Sequence, residues 1–208
     1  MLAVETEGVG PRLVLVHGFA QTARCWGAAA HALAADHEVH RVDAPGHGRS
    51  DAVRADLADT AALLADLGPA TYLGYSMGGR MCLEAALRHP GAVTALVLVS
   101  ATAGIDDADE RAARRVSDEA LAARLETVGV DAFVDQWLSL PLFAGLPPTD
   151  ASTSSVARTP RPAWHRRCAS PGRDAGPVGD RLAALTMLPV LPSSQAPTTR
   201  SSRGSPAA

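Results

Sequence analysis

Four short runs of strand length punctuate the first half of the chain, at about 13–17, 38–42, 70–74 and 93–99. The first and last are rich in Val and Leu, and the second sets Val39 and Val42 among polar residues. Between them, at about 24–35, 56–66 and 77–89, small and apolar residues recur at helical spacing, and Pro90 stops the third of these helices. Strands alternating with helices of this length predict an α/β fold built on a mainly parallel sheet with right-handed crossovers. From Asp106 to Gly129 the pattern turns charged, with Glu110, Arg111, Arg114, Arg115, Asp118, Glu119 and Arg124 set among alanines and leucines. This predicts an amphipathic helical cap inserted after the strand that ends at Ser100, continued by Trp137 and Pro141-Leu142-Phe143. The expected organisation is a core over 1–104, a cap over 105–150 and an irregular region over 151–208 in which 180–187 again looks core-like.

The third apolar run leads into Gly74-Tyr75-Ser76-Met77-Gly78-Gly79. A serine between glycines, after a strand and before a helix, spells the G-x-S-x-G nucleophile elbow. The sharp turn pushes the hydroxyl out of the sheet, and the neighbouring backbone comes too close for side chains at Gly74 and Gly78. The plain alternative is a tight turn carrying a polar residue. Two other segments favour the elbow.

Leu13-Val14-Leu15-Val16-His17-Gly18-Phe19 is a buried-strand run that stops at a His-Gly turn. In folds with such an elbow, the loop after this strand donates a backbone N–H to a developing oxyanion. Phe19 is therefore a candidate donor through its amide, and Met77, which follows the serine, is the second. His17 lies at a strand end and precedes the elbow, so it reads as a structural turn residue rather than a base. The second segment, Asp43-Ala44-Pro45-Gly46-His47-Gly48-Arg49-Ser50, is dense in turn formers and makes His47 a loop residue.

Composition narrows the function without naming it. With 208 residues, 47% of them apolar, the chain can bury one sizeable core, and a formal charge of −3 identifies no partner. No basic cluster suits nucleic-acid phosphates, and no apolar run reaches the length of a membrane span. Cys25, Cys82 and Cys168 are far apart and lack metal-type spacing, which predicts reduced thiols in a cytoplasmic protein. The N-terminal residues lack the pattern of a signal peptide. No His/Cys/Asp cluster has ligand spacing and no Gly-rich phosphate loop occurs, so neither a metal nor an organic cofactor is expected. The oligomeric state is not fixed by the sequence.

Together these residues resemble the α/β-hydrolase superfamily. Within it, residues 11–150 resemble the 2-succinyl-6-hydroxy-2,4-cyclohexadiene-1-carboxylate synthases of menaquinone biosynthesis. The marks are His17-Gly18-Phe19 with Trp26, Gly74-Tyr75-Ser76-Met77-Gly78-Gly79-Arg80, the helix from Arg111 to Asp118, and Trp137 followed by Pro141-Leu142-Phe143-Ala144. Members of that family eliminate pyruvate from a cyclohexene carboxylate with a Ser-His-Asp triad. The resemblance implies Ser76 as the catalytic serine, Phe19 and Met77 as oxyanion amides, Arg80 and Arg114 as clamps for substrate carboxylates, and Trp137 as a pocket residue. Arg80 lies one helical turn after Ser76, and planar cations suit a small anionic substrate. Both arginines also have a plainer reading as surface helix residues.

The chain departs from the pattern after the cap. A triad of this fold runs serine, acid, histidine. Here His165 precedes Asp174 and Asp180, and no Asp, Glu or His follows Leu191. Residues 151–178 are rich in Ser, Thr, Pro and Arg without apolar periodicity. They read either as a polar linker and tail or as frameshifted translation, because shifted codons can turn 158–171 into an apolar-periodic helix and 192–202 into a strand, a turn and an acid. The last sheet strands are then missing or garbled, and the expected activity is impaired. Three functions stay open: a synthase-type lyase, a hydrolase of small carboxylic esters, and a non-catalytic pseudo-hydrolase that binds a ligand or partner.

Overall fold

A computed structural model describes residues 1–141. The expectations for the end of the cap at 142–150, for the irregular region at 151–208 and for its core-like stretch at 180–187 lie outside the described residues. In chain order the elements are β1 (Val4–Glu7), β2 (Arg12–Val16), α1 (Gly27–Leu33), β3 (Glu38–Val42), α2 (Leu57–Ala65), β4 (Ala70–Tyr75), α3 (Met77–Arg88), β5 (Val93–Val99), α4 (Ala108–Val128) and α5 (Val130–Leu138). The five strands form one sheet in the order β1-β3-β2-β4-β5, parallel except for β1, which runs antiparallel to β3.

Registry explains where a site can form. Val16 lies opposite both Val42 and Gly74, and Tyr75 lies opposite Val99, so the carboxyl ends of the parallel strands come level. The loops leaving that edge are the usual location of ligand sites in open α/β sheets. The central strand β2 is buried on both faces, as inner strands of parallel sheets are, whereas Val97, Leu98 and Val99 at the end of β5 are exposed. Side chains of β2 alternate accordingly. Val14 and Val16 pack with Val42, Leu64, Tyr72, Met81 and Cys82 on one face, and Leu13 and Leu15 pack with Ala30 and Val39 on the other. Tyr72 belongs to this core but keeps its polar end satisfied, its hydroxyl lying 2.8 Å from Leu64 O and 3.1 Å from Gly68 O. Burial pushes its pKa up to about 12.

Several elements differ from the sequence expectations. β1 was not foreseen, because Val4-Glu5-Thr6-Glu7 holds no apolar run. It is an edge strand whose Glu5 and Glu7 pair with Arg41 of β3 at 3.1 and 3.2 Å. The helix expected at 24–35 is a 3₁₀ turn, Ala23–Trp26, followed by α1, with the break at Gly27, where φ is 25°. The first expected strand stops at Val16, leaving His17 in the loop.

The helix expected from Asp106 to Gly129 is α4. Asp107 caps it, its carboxylate accepting from the N–H groups of Asp109 and Glu110 at 2.9 and 2.8 Å. The amphipathic expectation holds only near its C-terminal end, where Ala122 and Leu125 are buried, whereas Val116 is 67% exposed. Gly129, at φ 77°, turns the chain directly into α5. No helix among the described residues is long and apolar enough to cross a membrane.

Candidate active site

Ser76 sits between the end of β4 and the first residue of α3 at φ 50°, ψ −112°, a conformation that non-glycine residues rarely adopt. Its N–H donates to Val99 O at 2.9 Å, and its carbonyl accepts from Arg80 N at 3.3 Å. The strained turn is thus held from both sides. The glycines of the motif have a steric cause. A Cβ at Gly74 would lie 2.5 Å from Gly78 O and Gly79 Cα, and one at Gly78 would run into the carbonyls of Val16 and His17. The N-terminus of α3 therefore rests directly on the end of β2. The amides of the first helical turn, Met77 among them, have no acceptor within the helix. An anion near them also meets the positive end of the helix dipole.

The loop after β2 lies against this elbow. A Cβ on Gly18 would come within 2.9 Å of the Tyr75 ring, and the Gly18 N–H donates to Gln21 Oε1 at 2.8 Å. His17, the turn residue, is fully buried. Ala44 N–H donates to its Nε2 at 3.0 Å, and its Nδ1 lies 2.8 Å from Gly18 O. An imidazole that accepts at Nε2 and faces a carbonyl at Nδ1 is the neutral Nδ1–H tautomer. Burial lowers its pKa, against smaller raising effects of the Gly18 hydrogen bond and of Asp43.

His47, expected as a loop residue, is buried beside His17 with ring centroids 5.1 Å apart, and its Nδ1 lies 3.0 Å from Pro45 O. Asp43 ties the neighbouring loops together. Its carboxylate accepts from Ala23 N at 2.8 Å and Arg49 N at 3.0 Å. A Cβ on Gly48, at φ 49°, would strike that carboxylate.

Phe19 joins this loop to α5. Its ring meets Trp137 edge to face at 5.1 Å and Phe133 at 6.1 Å, while Phe133 and Trp137 stack at 6.1 Å. Ala20 and Val134 complete the contact. Phe133 was not singled out in the sequence, although it stands one helical turn before Trp137 on the same face.

The sequence-derived residues are thus distributed unevenly. Ser76 and Met77 are adjacent on the elbow, Phe19 lies in the loop packed on it, and Trp137 packs on Phe19. Arg80 is half-buried one turn along α3. Arg114 is exposed, and its Nε donates to Asp118 Oδ1 at 2.8 Å within α4. Among the described residues the histidine that follows Ser76 is His89, at the far end of the 12-residue α3 and so about 18 Å along the helix. That is beyond hydrogen-bond reach. No group of three or more His, Cys, Asp or Glu among the described residues could hold a metal ion.

Comparison with known proteins places this geometry. The pimeloyl-[acyl-carrier protein] methyl ester esterase of Nitrosomonas europaea is 33% identical over 172 residues, 72% of this chain and 68% of its own length. The 2-succinyl-6-hydroxy-2,4-cyclohexadiene-1-carboxylate synthase of Escherichia coli O1:K1 is 33% identical over 143 residues, 65% of this chain and 56% of its own length. The chain therefore spans little more than half of that synthase. MenH from S. aureus superposes with a TM-score of 0.71 at 26% identity, covering 81% of this chain and 71% of that one. The model of the alpha/beta hydrolase family matches residues 13–200. With the strained serine at the end of β4 and the sheet order that presents it, the chain belongs to the alpha/beta hydrolase family.

Proposed function

We propose that Ser76 is the catalytic serine of an enzyme acting on a small anionic substrate. In this reading the amides of Phe19 and Met77 stabilise the oxyanion, Arg80 and Arg114 draw substrate carboxylates, and Trp137 lines the pocket. The observation that carries the reading is the backbone of Ser76 at φ 50°, a strained conformation kept by two hydrogen bonds. Strain of this kind is retained where it serves chemistry. Residues 1–104 would form the catalytic core and 105–150 the cap, in a cytoplasmic protein.

The first reaction is the synthase-type elimination of pyruvate from a cyclohexene carboxylate. It is supported by the synthase relative and by Arg80, a permanent cation one turn from the serine. The second is hydrolysis of a small carboxylic ester, supported by the esterase relative. One observation favours it: Arg114 is already paired with Asp118 within α4, which weakens it as a clamp for a second substrate carboxylate.

Turnover by these 208 residues is impaired in either reading, because the triad needs an acid and then a histidine after the cap, and there His165 precedes Asp174 and Asp180. Loss of triad members costs on the order of 10⁴ to 10⁶ in kcat, the base at the upper end. A frameshift within codons 145–208 accounts for the order.

The test is to assay the full chain for pyruvate release from the cyclohexene substrate and for methyl-ester hydrolysis, alongside Arg80→Ala and a version with a restored frame. Pyruvate release that appears on frame restoration and falls with Arg80→Ala supports the lyase. Ester hydrolysis indifferent to Arg80 supports the esterase. Polycarboxylate binding without turnover, even after restoration, overturns both and leaves a binding protein.

A further inference from the structure

The geometry points to His17 as a positioning residue that sets the orientation of the Gly18–Phe19 peptide, and with it the direction of the Phe19 N–H. The inference rests on the reading of Phe19 as an oxyanion donor. The Nδ1–H of His17 donates to Gly18 O at 2.8 Å. A trans peptide is planar, with its C=O and N–H antiparallel. Holding the Gly18 carbonyl toward the imidazole therefore turns the Phe19 N–H away from it.

The ring cannot swivel to release that carbonyl. Its other nitrogen accepts from Ala44 N at 3.0 Å, on the loop after β3, and His47 packs against the ring at an angle, with centroids 5.1 Å apart. Gly18 is itself held through its N–H by Gln21 Oε1 at 2.8 Å, and the Tyr75 ring that precedes the serine lies where a Cβ on Gly18 would stand. The imidazole thus connects two loops at the sheet edge and fixes one peptide plane between them. An oxyanion donor must be aimed before the reaction, since reorganisation at that moment would cost rate.

Two substitutions separate positioning from packing, because each amide side chain reproduces one half of the imidazole. In His17→Asn the side-chain N–H can replace the Nδ1–H toward Gly18 O. In His17→Gln the side-chain oxygen can replace Nε2 as acceptor for Ala44. The full chain and both variants are followed by the amide cross-peak of Phe19 and by the rate at which a fluorophosphonate labels Ser76. In that labelling the serine oxygen bonds to phosphorus, fluoride leaves and the hydroxyl proton passes to solvent.

At equal folded fraction, His17→Gln should displace the Phe19 cross-peak and slow labelling about 100-fold, the scale of losing one oxyanion donor. His17→Asn should keep the cross-peak in place and label within about threefold of the parent, a hydrogen bond having been exchanged for a similar one. Equal labelling of both variants, or losses that simply follow their melting temperatures, would overturn the inference. If neither the parent chain nor its frame-restored version is labelled at Ser76, the serine-nucleophile reading falls and the cross-peak alone decides. Displacement in Gln but not in Asn then supports the hold on the peptide, and displacement in both or neither removes it.

Discussion

The rings of Phe19 and Trp137 meet edge to face with centroids 5.1 Å apart, so α5 is anchored on the same residue whose amide is the proposed oxyanion donor. Phe133 and Val134 add to that contact from one face of α5. Trp137→Ala removes the ring that both Phe19 and Phe133 pack on, at a cost of about 2 kcal/mol to the docking of α5. Hydrogen exchange at 130–138 should accelerate strongly while the amides of β2 and β4 keep their protection. Uniform acceleration across the sheet would instead mean that α5 and the sheet unfold as one unit.

The backbone strain at Ser76 predicts a stability gain on its removal. Ser76→Gly relieves a positive φ that glycine adopts without penalty, and should stabilise the fold by about 1 kcal/mol despite the extra freedom of the unfolded chain. Urea denaturation checks this, and fluorophosphonate labelling of the same variant should vanish. A destabilised variant would show that the turn is relaxed.

Gly78 tests the seat of α3 on β2. In Gly78→Ala the new methyl meets the Val16 and His17 carbonyls, neither of which can retreat without shifting a central strand, so about 3 kcal/mol of stability should be lost. Gly91→Ala is the control, since nothing lies within 4 Å of a Cβ there, and its effect should stay within about 0.5 kcal/mol.

His17 gives the fold a pH dependence with a definite sign. Burial lowers its pKa below the ordinary 6.5, so the unfolded chain takes up a proton there before the folded one does. The contribution to stability is complete above about pH 6.5 and is lost as the pH falls from that value toward the lowered one. The urea midpoint of the parent chain should therefore drop between pH 7.5 and 5, and His17→Asn, which has no titrating ring, should show a smaller drop. Equal drops in the two proteins would assign the effect to other groups.

The four parallel strands and the elbow were legible because each rests on local spelling: a strand-length run between helical or turn-rich stretches, or glycines at fixed offsets from a serine. β1 was not, because Glu5 and Glu7 derive their place from Arg41 on β3, a partner more than 30 residues away in the chain. Gly27 carries a local signal, and its split of the expected helix could have been read as a cost against helical continuity. The burial of His17 and His47 is different again. Their partners are Gly18 O, Ala44 N and Pro45 O, all main-chain groups, and no residue type in the sequence advertises a backbone partner. Arg114 is the reverse case. Its charge suggested a ligand, and the structure gives it Asp118 four residues on.

The registry of the sheet has a bearing on how the site comes into being. The groups that shape the elbow, from the Val16 carbonyl to the Val99 carbonyl and the Ala101 methyl that bounds Gly79, all belong to the first 101 residues. On a ribosome they emerge before α4 does, and they are joined by neighbouring strands of one sheet. The serine turn and the loop beneath it can therefore assemble on the nascent chain, and α5 arrives afterwards to a surface already bearing the exposed ring of Phe19.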